Sequence, residues 1–136
     1  MISTELARAL RDSGLVWHPR AGDAFRIDRV EADDEVYILS DMTVEAHEFS
    51  TGTVLGFNGT TEWALDSVAL DDAVWLPHEH QLRDLLGPAF HDLSALPDRG
   101  FAVTIELGGL HRRFDADDAA NAYARALLAL LDSLAP

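Results

Sequence analysis

The residues of this chain best suited to chemistry near neutral pH are its six histidines, two of which lie close together. His78 and His80 flank Glu79 at the predicted start of a helix. Side chains two positions apart on a helix lie on different sides, so we expect surface residues of a first helical turn and not joint ligands of one metal ion. They are the candidates for a metal site, and the sequence predicts no bound metal and no cofactor.

Acidic residues offer a second chemistry. Glu62 and Asp66 lie near Trp63, and a carboxylic acid beside an aromatic wall is the arrangement that glycosidases use for their acid catalyst. The sequence places no second carboxylate at a known distance from them, so no catalytic residue is assigned. Three acidic pairs, at 33–34, 71–72 and 117–118, lack the central glycine of a calcium-binding loop.

Composition excludes several classes of catalytic site. All ten basic residues are arginine, so the lysine of a phosphate-binding loop is missing, and the chain contains no cysteine. Nucleotide hydrolysis by such a loop, thiol catalysis and disulfides are therefore excluded. A serine between glycines in the pattern of a nucleophile elbow is also missing.

The chain is strongly acidic, with 24 acidic against 10 basic residues and a net charge of −14. This charge repels phosphate backbones and anionic lipids, so we expect no direct nucleic-acid binding and no membrane binding. The acidity fits three uses: solubility, docking of a basic partner protein, or mimicry of nucleic-acid charge. The sequence shows neither a signal-peptide pattern nor a run of about 18 apolar residues, so we expect a cytoplasmic location.

Hydrophobic residues alternate with polar ones over much of the first 76 positions, which predicts short antiparallel strands. The apolar run at 36–39 is predicted to be the central strand, covered on both faces. Asn58-Gly59 is predicted to close a hairpin onto a strand at 60–65, with Val54 opposite Trp63. Other strands are predicted at 15–17, 25–28, 43–49 and 53–57.

The remaining chain predicts a helix, strands and a second helix. Pro77 is expected to begin a helix that ends near Leu86, since proline suits a first helical position. Strands are predicted at 89–96, 101–107 and 110–114, the last two joined by a turn at Gly108-Gly109. Asp115 is expected to cap the final helix, which extends to about residue 134, and a short helix is predicted near Ser3.

The final helix has an unusually broad apolar face. A face this wide can lie inside the subunit or leave one edge for a partner subunit. A homodimer is therefore a candidate assembly. Its predicted interface residues are Tyr123, Leu127, Leu128, Leu131 and Leu134.

Three segments carry a resemblance that covers most of the chain: SDMTVEAHEF, GTVLGFNGTTEWALDSVALDDAVWLPHEHQLRDLL and FDADDAANAYARALLALL. In them the chain resembles a family of small actinobacterial proteins of uncharacterised function. Its members are often labelled pilus assembly protein, which implies a receiver-like and ATPase-type protein of a secretion apparatus. The phosphate loop of such an ATPase is missing here, and the resemblance implies no catalytic residue. The part from 75 to 134 is similar in pattern to small alpha-beta sandwich domains of phage proteins.

These patterns predict a single α+β domain over residues 1–136. Its antiparallel sheet is built from hairpins, with an amino-terminal helix, a middle helix and a long carboxy-terminal helix packed on the sheet. The alternative is a β-rich part at 1–75 and a helix–strands–helix part at 76–136. The expected function is that of a non-catalytic adaptor or accessory binding module. Two alternatives stay open: a small acid/base or metal-dependent hydrolase using His78 and His80, and an acidic inhibitor that mimics nucleic acid.

Overall fold

A computed structural model gives the fold and describes residues 1–28, 35–40, 44–49, 52–57, 67–69 and 72–135. The described chain contains helices and antiparallel strands, which confirms the predicted α+β class. The helices are α1 (Thr4–Asp12), α2 (Glu79–Leu86) and α3 (Ala119–Leu134). The strands are β1 (Ala24–Ile27), β2 (Tyr37–Ile38), β3 (Val44–Phe49), β4 (Gly52–Phe57), β5 (Ser67–Ala69), β6 (Ala73–Leu76), β7 (Phe90–Ala95), β8 (Phe101–Leu107) and β9 (Leu110–Ala116).

The chain divides into two compact units. The β unit is Trp17–Leu76, and the helical unit combines Met1–Val16 with Pro77–Pro136. The break after Leu76 lies one residue from the predicted subdivision at 75/76. Residues 1–16, however, belong with the second half of the chain, because α1 packs against α3.

The described residues of the β unit form two antiparallel three-stranded sheets, in the orders β2-β1-β6 and β3-β4-β5. In the first sheet Phe25 lies opposite Tyr37 on one side and Trp75 on the other. These side chains build an aromatic core with Trp17, whose ring stacks nearly parallel to that of Trp75 at a centroid distance of 6.4 Å. Burial of large rings is the main stabilising contribution here.

The predicted central strand at 36–39 is wrong in extent and in position. The strand spans only Tyr37 and Ile38 of this run, lies at one end of the described sheet, and leaves Ile38 52% exposed. The central place belongs to β1, because β6 returns from much later in the chain to cover its other side. An apolar run predicts a buried strand. Its place in the sheet, at the centre or at the edge, depends on which strands pair with it.

Two further strand predictions in the first half of the chain are wrong. Residues 15–17 form no strand; Trp17 contributes its ring to the core instead. Val54 pairs with His47 on one side and Ala69 on the other, so its predicted pairing with Trp63 is wrong. Asn58-Gly59 and Trp63 lie outside the described residues.

In the helical unit, α3 packs against α1, α2, β8 and β9. The sheet order is β7-β8-β9, and Gly108 and Gly109 join β8 to β9 as predicted. Their φ angles of 57° and 81° are those that a tight two-residue hairpin turn requires. The predicted cap at Asp115 is wrong: this residue lies in β9, and Asp118 caps α3 by accepting a hydrogen bond from the Asn121 N–H at 2.7 Å.

The middle helix follows the prediction closely. It spans Glu79–Leu86, and the positive φ of Gly87 ends it. The predicted start at Pro77 is wrong by two residues, because His78 is the N-cap and Pro77 precedes it. Leu82 and Leu86 are buried, whereas Leu85 is 40% exposed. Burial of a leucine side chain contributes about 1.5 to 3 kcal/mol, so Leu82 and Leu86 anchor α2 in this unit.

Candidate functional site

An open cavity of about 390 Å³ in the helical unit brings charged side chains together. Its lining comes from α2, β7 and α3, and we call it the α2–β7 groove. Glu79 and Arg83 lie one helical turn apart and therefore share one face of α2. The lining residues are Glu79, His80, Arg83, Leu93 and Tyr123.

Arg83 is held against an aromatic ring at this groove. Its Cζ atom lies 4.5 Å from the ring centroid of Phe90, and the Phe90 ring lies 5.8 Å from that of Tyr123. A guanidinium on a ring face gains about 0.5 to 1 kcal/mol at an exposed site. The stack restricts Arg83 while the residue stays exposed to solvent.

Tyr123 lies deep in the helical unit, with 1% of the residue exposed. Burial raises the pKa of its hydroxyl above the ordinary value of 10.0, and the negative charge of Glu79 acts in the same direction. Arg83 opposes them through its positive charge and through a hydrogen bond. The net shift is upward, so Tyr123 keeps its proton at neutral pH and remains a hydrogen-bond donor.

The two predicted metal-site candidates lie closer than the helix argument predicted. His78 precedes α2 as its N-cap residue, and its ring stacks on that of His80 at 5.8 Å with an interplanar angle of 10°. The expectation that they face different sides is therefore wrong, because an N-cap residue has extended backbone angles. The His78 N–H donates to Gln81 Oε1 at 2.8 Å, which gives His78 a role in helix capping. Of the pair, only His80 lines the groove.

A second histidine pair lies on the sheet of the helical unit. The rings of His91 and His111 are 4.3 Å apart, and His91 Nε2 lies 3.6 Å from Asp92 Oδ2. His91 lies at the register shift between β7 and β8. Within the described part of the chain, however, no group of three or more histidine, aspartate and glutamate side chains is arranged to hold a metal ion.

The predicted interface residues on α3 divide into two groups. Tyr123 and Leu127 are buried within the subunit at 1% and 2% exposure, so their surface is already covered. Leu128 and Leu131 are half-buried, and Leu134 is 73% exposed. The homodimer stays a prediction that the last three residues would carry.

Charge is distributed unequally between the two units. The β unit has 13 acidic residues and three arginines, a net charge of −10. The helical unit has 11 acidic residues and seven arginines, a net charge of −4. Glu62 and Asp66, the candidate acids beside Trp63, lie outside the described residues.

Sequence reasoning missed Arg83, Phe90 and Tyr123 as parts of one site. Arg83 and Phe90 are seven residues apart across the turn that ends α2, so their contact could have been predicted from the nearby sequence. Tyr123 comes from α3, 40 positions after Arg83, and only the packing of α3 on α2 brings the two together.

Among the described residues no helix is both long enough and apolar enough to cross a lipid bilayer. Comparisons of the chain with protein-family models, with curated proteins and with solved structures find no match.

Proposed function

We propose that this protein is a non-catalytic accessory protein, an adaptor that binds a basic partner protein through its β unit. The observation that carries the proposal is the net charge of −10 on the 60 residues of Trp17–Leu76. A charge of this size attracts a basic surface over a distance of about one Debye length, roughly 8 Å at physiological salt.

The described part of the β unit has a packed core and an anchored loop. Its core is aromatic and aliphatic, and the carboxylate buried there, Asp23, is bonded to Trp17 Nε1 at 2.9 Å and to the Arg20 N–H at 3.0 Å. Hydrogen bonds of this kind fix a loop conformation. In this proposal the 13 acidic residues of the unit act together as one region of strong negative charge.

The test is retention of basic proteins from a cleared bacterial lysate by the immobilised full chain, with elution by increasing salt. The test variant replaces Glu31, Asp33, Asp34 and Glu35 with their amides, which removes four charges from the β unit. The matched control removes four charges from the helical unit. Its positions are the exposed residues Glu5, Asp84, Asp98 and Asp117.

We expect a basic protein that is retained at low salt and lost in the test variant but not in the control. Its affinity, measured by titration calorimetry with the purified pair, should fall as salt rises, because screening weakens charge attraction. Failure to retain any basic protein would refute the proposal, as would equal losses in both variants. Competition by duplex DNA would identify the partner as a nucleic-acid-binding protein and the adaptor as a mimic of nucleic-acid charge.

A further inference from the structure

We propose that the α2–β7 groove binds a free α-amino acid with an apolar side chain, in its zwitterionic form. This inference concerns the helical unit and does not depend on the proposed role of the β unit. It starts from the presence of a cation, an anion, a phenol and an apolar wall around one open cavity of about 390 Å³.

The carboxylate end of the ligand is assigned to Arg83 and Tyr123. The Arg83 Cζ atom lies over the Phe90 ring, and the N–H donors of a guanidinium lie in the plane of that group. A planar guanidinium donates two parallel hydrogen bonds to a carboxylate. Tyr123 lines the same cavity and its hydroxyl retains its proton, so it can donate to the same ligand.

The ammonium end is assigned to Glu79. This carboxylate lies one turn from Arg83 on α2, lines the same cavity and is exposed to solvent. A ligand with both charges neutralises both residues. A phosphate dianion meets Arg83 but is repelled by Glu79 and by the net charge of −14, so the arrangement favours a zwitterion.

The size and wall of the groove limit the side chain. A volume of about 390 Å³ lies at the small end of ligand sites, which span roughly 300 to 1,000 Å³, and suits one amino acid better than a long peptide. Leu93 supplies the apolar wall. An aliphatic side chain is therefore the expected partner for this wall.

Titration calorimetry of the full chain with L-leucine tests the inference. We expect one saturable site for leucine, and binding at least about tenfold weaker for leucinamide, which lacks the carboxylate, and for N-acetyl-leucine, which lacks the ammonium. Inorganic phosphate serves as the competing anion. Absence of saturable leucine binding, equal binding of leucinamide, or tighter binding of phosphate would each overturn the proposal.

Variants locate the site. Arg83→Gln and Glu79→Gln should each weaken leucine binding about tenfold or more, whereas Asp84→Asn, an exposed change on α2 outside the groove, should leave it unchanged. Far-ultraviolet circular dichroism establishes that each variant is folded. In the wild type, leucine should also shift the backbone amide signals of Leu93 and Tyr123 in a nitrogen–proton correlation spectrum. Shifts confined to other residues would show that leucine binds elsewhere and refute the assignment.

Discussion

Asp23 shows how one residue fixes a segment without a catalytic purpose. It is 3% exposed, and its Oδ2 atom accepts hydrogen bonds from Trp17 Nε1 and from the Arg20 N–H. Its backbone carbonyl also accepts from the Leu39 N–H at 2.9 Å, which links the loop before β1 to the residue after β2. A buried carboxylate with several donors is a structural anchor, because each donor would otherwise lose a partner.

Replacing Asp23 with alanine should therefore destabilise the β unit. We expect the free energy of unfolding to fall by about 2 to 3 kcal/mol, since the buried Trp17 Nε1–H and the partly buried Arg20 N–H lose their acceptor. Urea unfolding followed by tryptophan fluorescence measures the change. Asp98→Ala, at an exposed position between β7 and β8, is the control and should have little effect. A loss in Asp23→Ala no larger than that in the control would contradict this assignment.

Tyr123 predicts a dependence of stability on alkaline pH. Its pKa in the folded chain is raised above the ordinary value of 10.0, mainly by burial, so above pH 10 the unfolded chain loses this proton first. The stabilising contribution is complete below pH 10 and decreases as pH rises through the folded pKa. Tyr123→Phe should remove that part of the decrease.

The measurement is urea unfolding of both chains between pH 7 and pH 11, followed by circular dichroism. Tyr37→Phe is the matched control, because Tyr37 belongs to the β unit and is only half-buried. It should keep the decrease attributed to Tyr123. Identical pH profiles for wild type and Tyr123→Phe would show that burial of this phenol does not affect alkaline stability.

Sequence patterns correctly predicted the helices, strands and turns that depend only on residues close in the chain. The end of α2 at Leu86, the alternating strand β8 and the glycine turn after it depend on neighbouring residues, and these predictions are confirmed. The predictions that failed depend on distant partners. β2 became an edge because β6 pairs with β1, and Tyr123 became part of a groove because α3 packs on α2. Asp115 has the right chemistry for a cap, but pairing of β9 with β8 extends through Ala116 and moves the cap to Asp118.

Packing requires glycine at position 100, and the sequence did not predict this requirement. Its φ is 93°, and a Cβ atom placed there would lie 2.5 Å from the backbone oxygen of Ala116. Gly109 also has a positive φ, 81°, but a Cβ atom there meets no atom within 4 Å. Alanine at Gly109 would add backbone strain alone, whereas alanine at Gly100 would add backbone strain and a steric overlap.

We expect Gly109→Ala to cost about 1 to 2 kcal/mol, from the left-handed backbone alone. Gly100→Ala should cost clearly more, because the contact with Ala116 is backbone and cannot move as a flexible side chain would. Thermal unfolding followed by circular dichroism compares the two variants. Equal costs would show that the ends of β8 and β9 separate readily enough to accept a methyl group.

For the whole molecule, the broad apolar face of α3 is largely accounted for within one subunit. Four elements cover it, namely α1, α2, β8 and β9. The surface left for a second copy consists mainly of Leu134 with the half-buried Leu128 and Leu131. A homodimer would therefore be held by the end of the helix, and light scattering over a range of concentrations measures whether it forms.

The unequal charge of the two units predicts that salt stabilises them unequally. Self-repulsion among like charges opposes the compact state, and it is screened over about 30 Å at 0.01 M salt but about 8 Å at 0.15 M. The β unit, with a net charge of −10, should gain more from added salt than the helical unit, with −4. Two optical probes separate the units, since Trp17, Trp63 and Trp75 all belong to the β unit and the described α-helices all belong to the other.

Urea unfolding at 0.01 M and 0.15 M sodium chloride should therefore show a larger rise in the midpoint by tryptophan fluorescence than by circular dichroism at 222 nm. The variant with amides at 31 and 33–35 should reduce the fluorescence shift, because four of the repelling charges are removed. The helical-unit control variant should leave it unchanged. Equal shifts by both probes would mean that the two units unfold as one cooperative body, and charge would then act on the stability of the whole chain and not on that of the acidic unit alone.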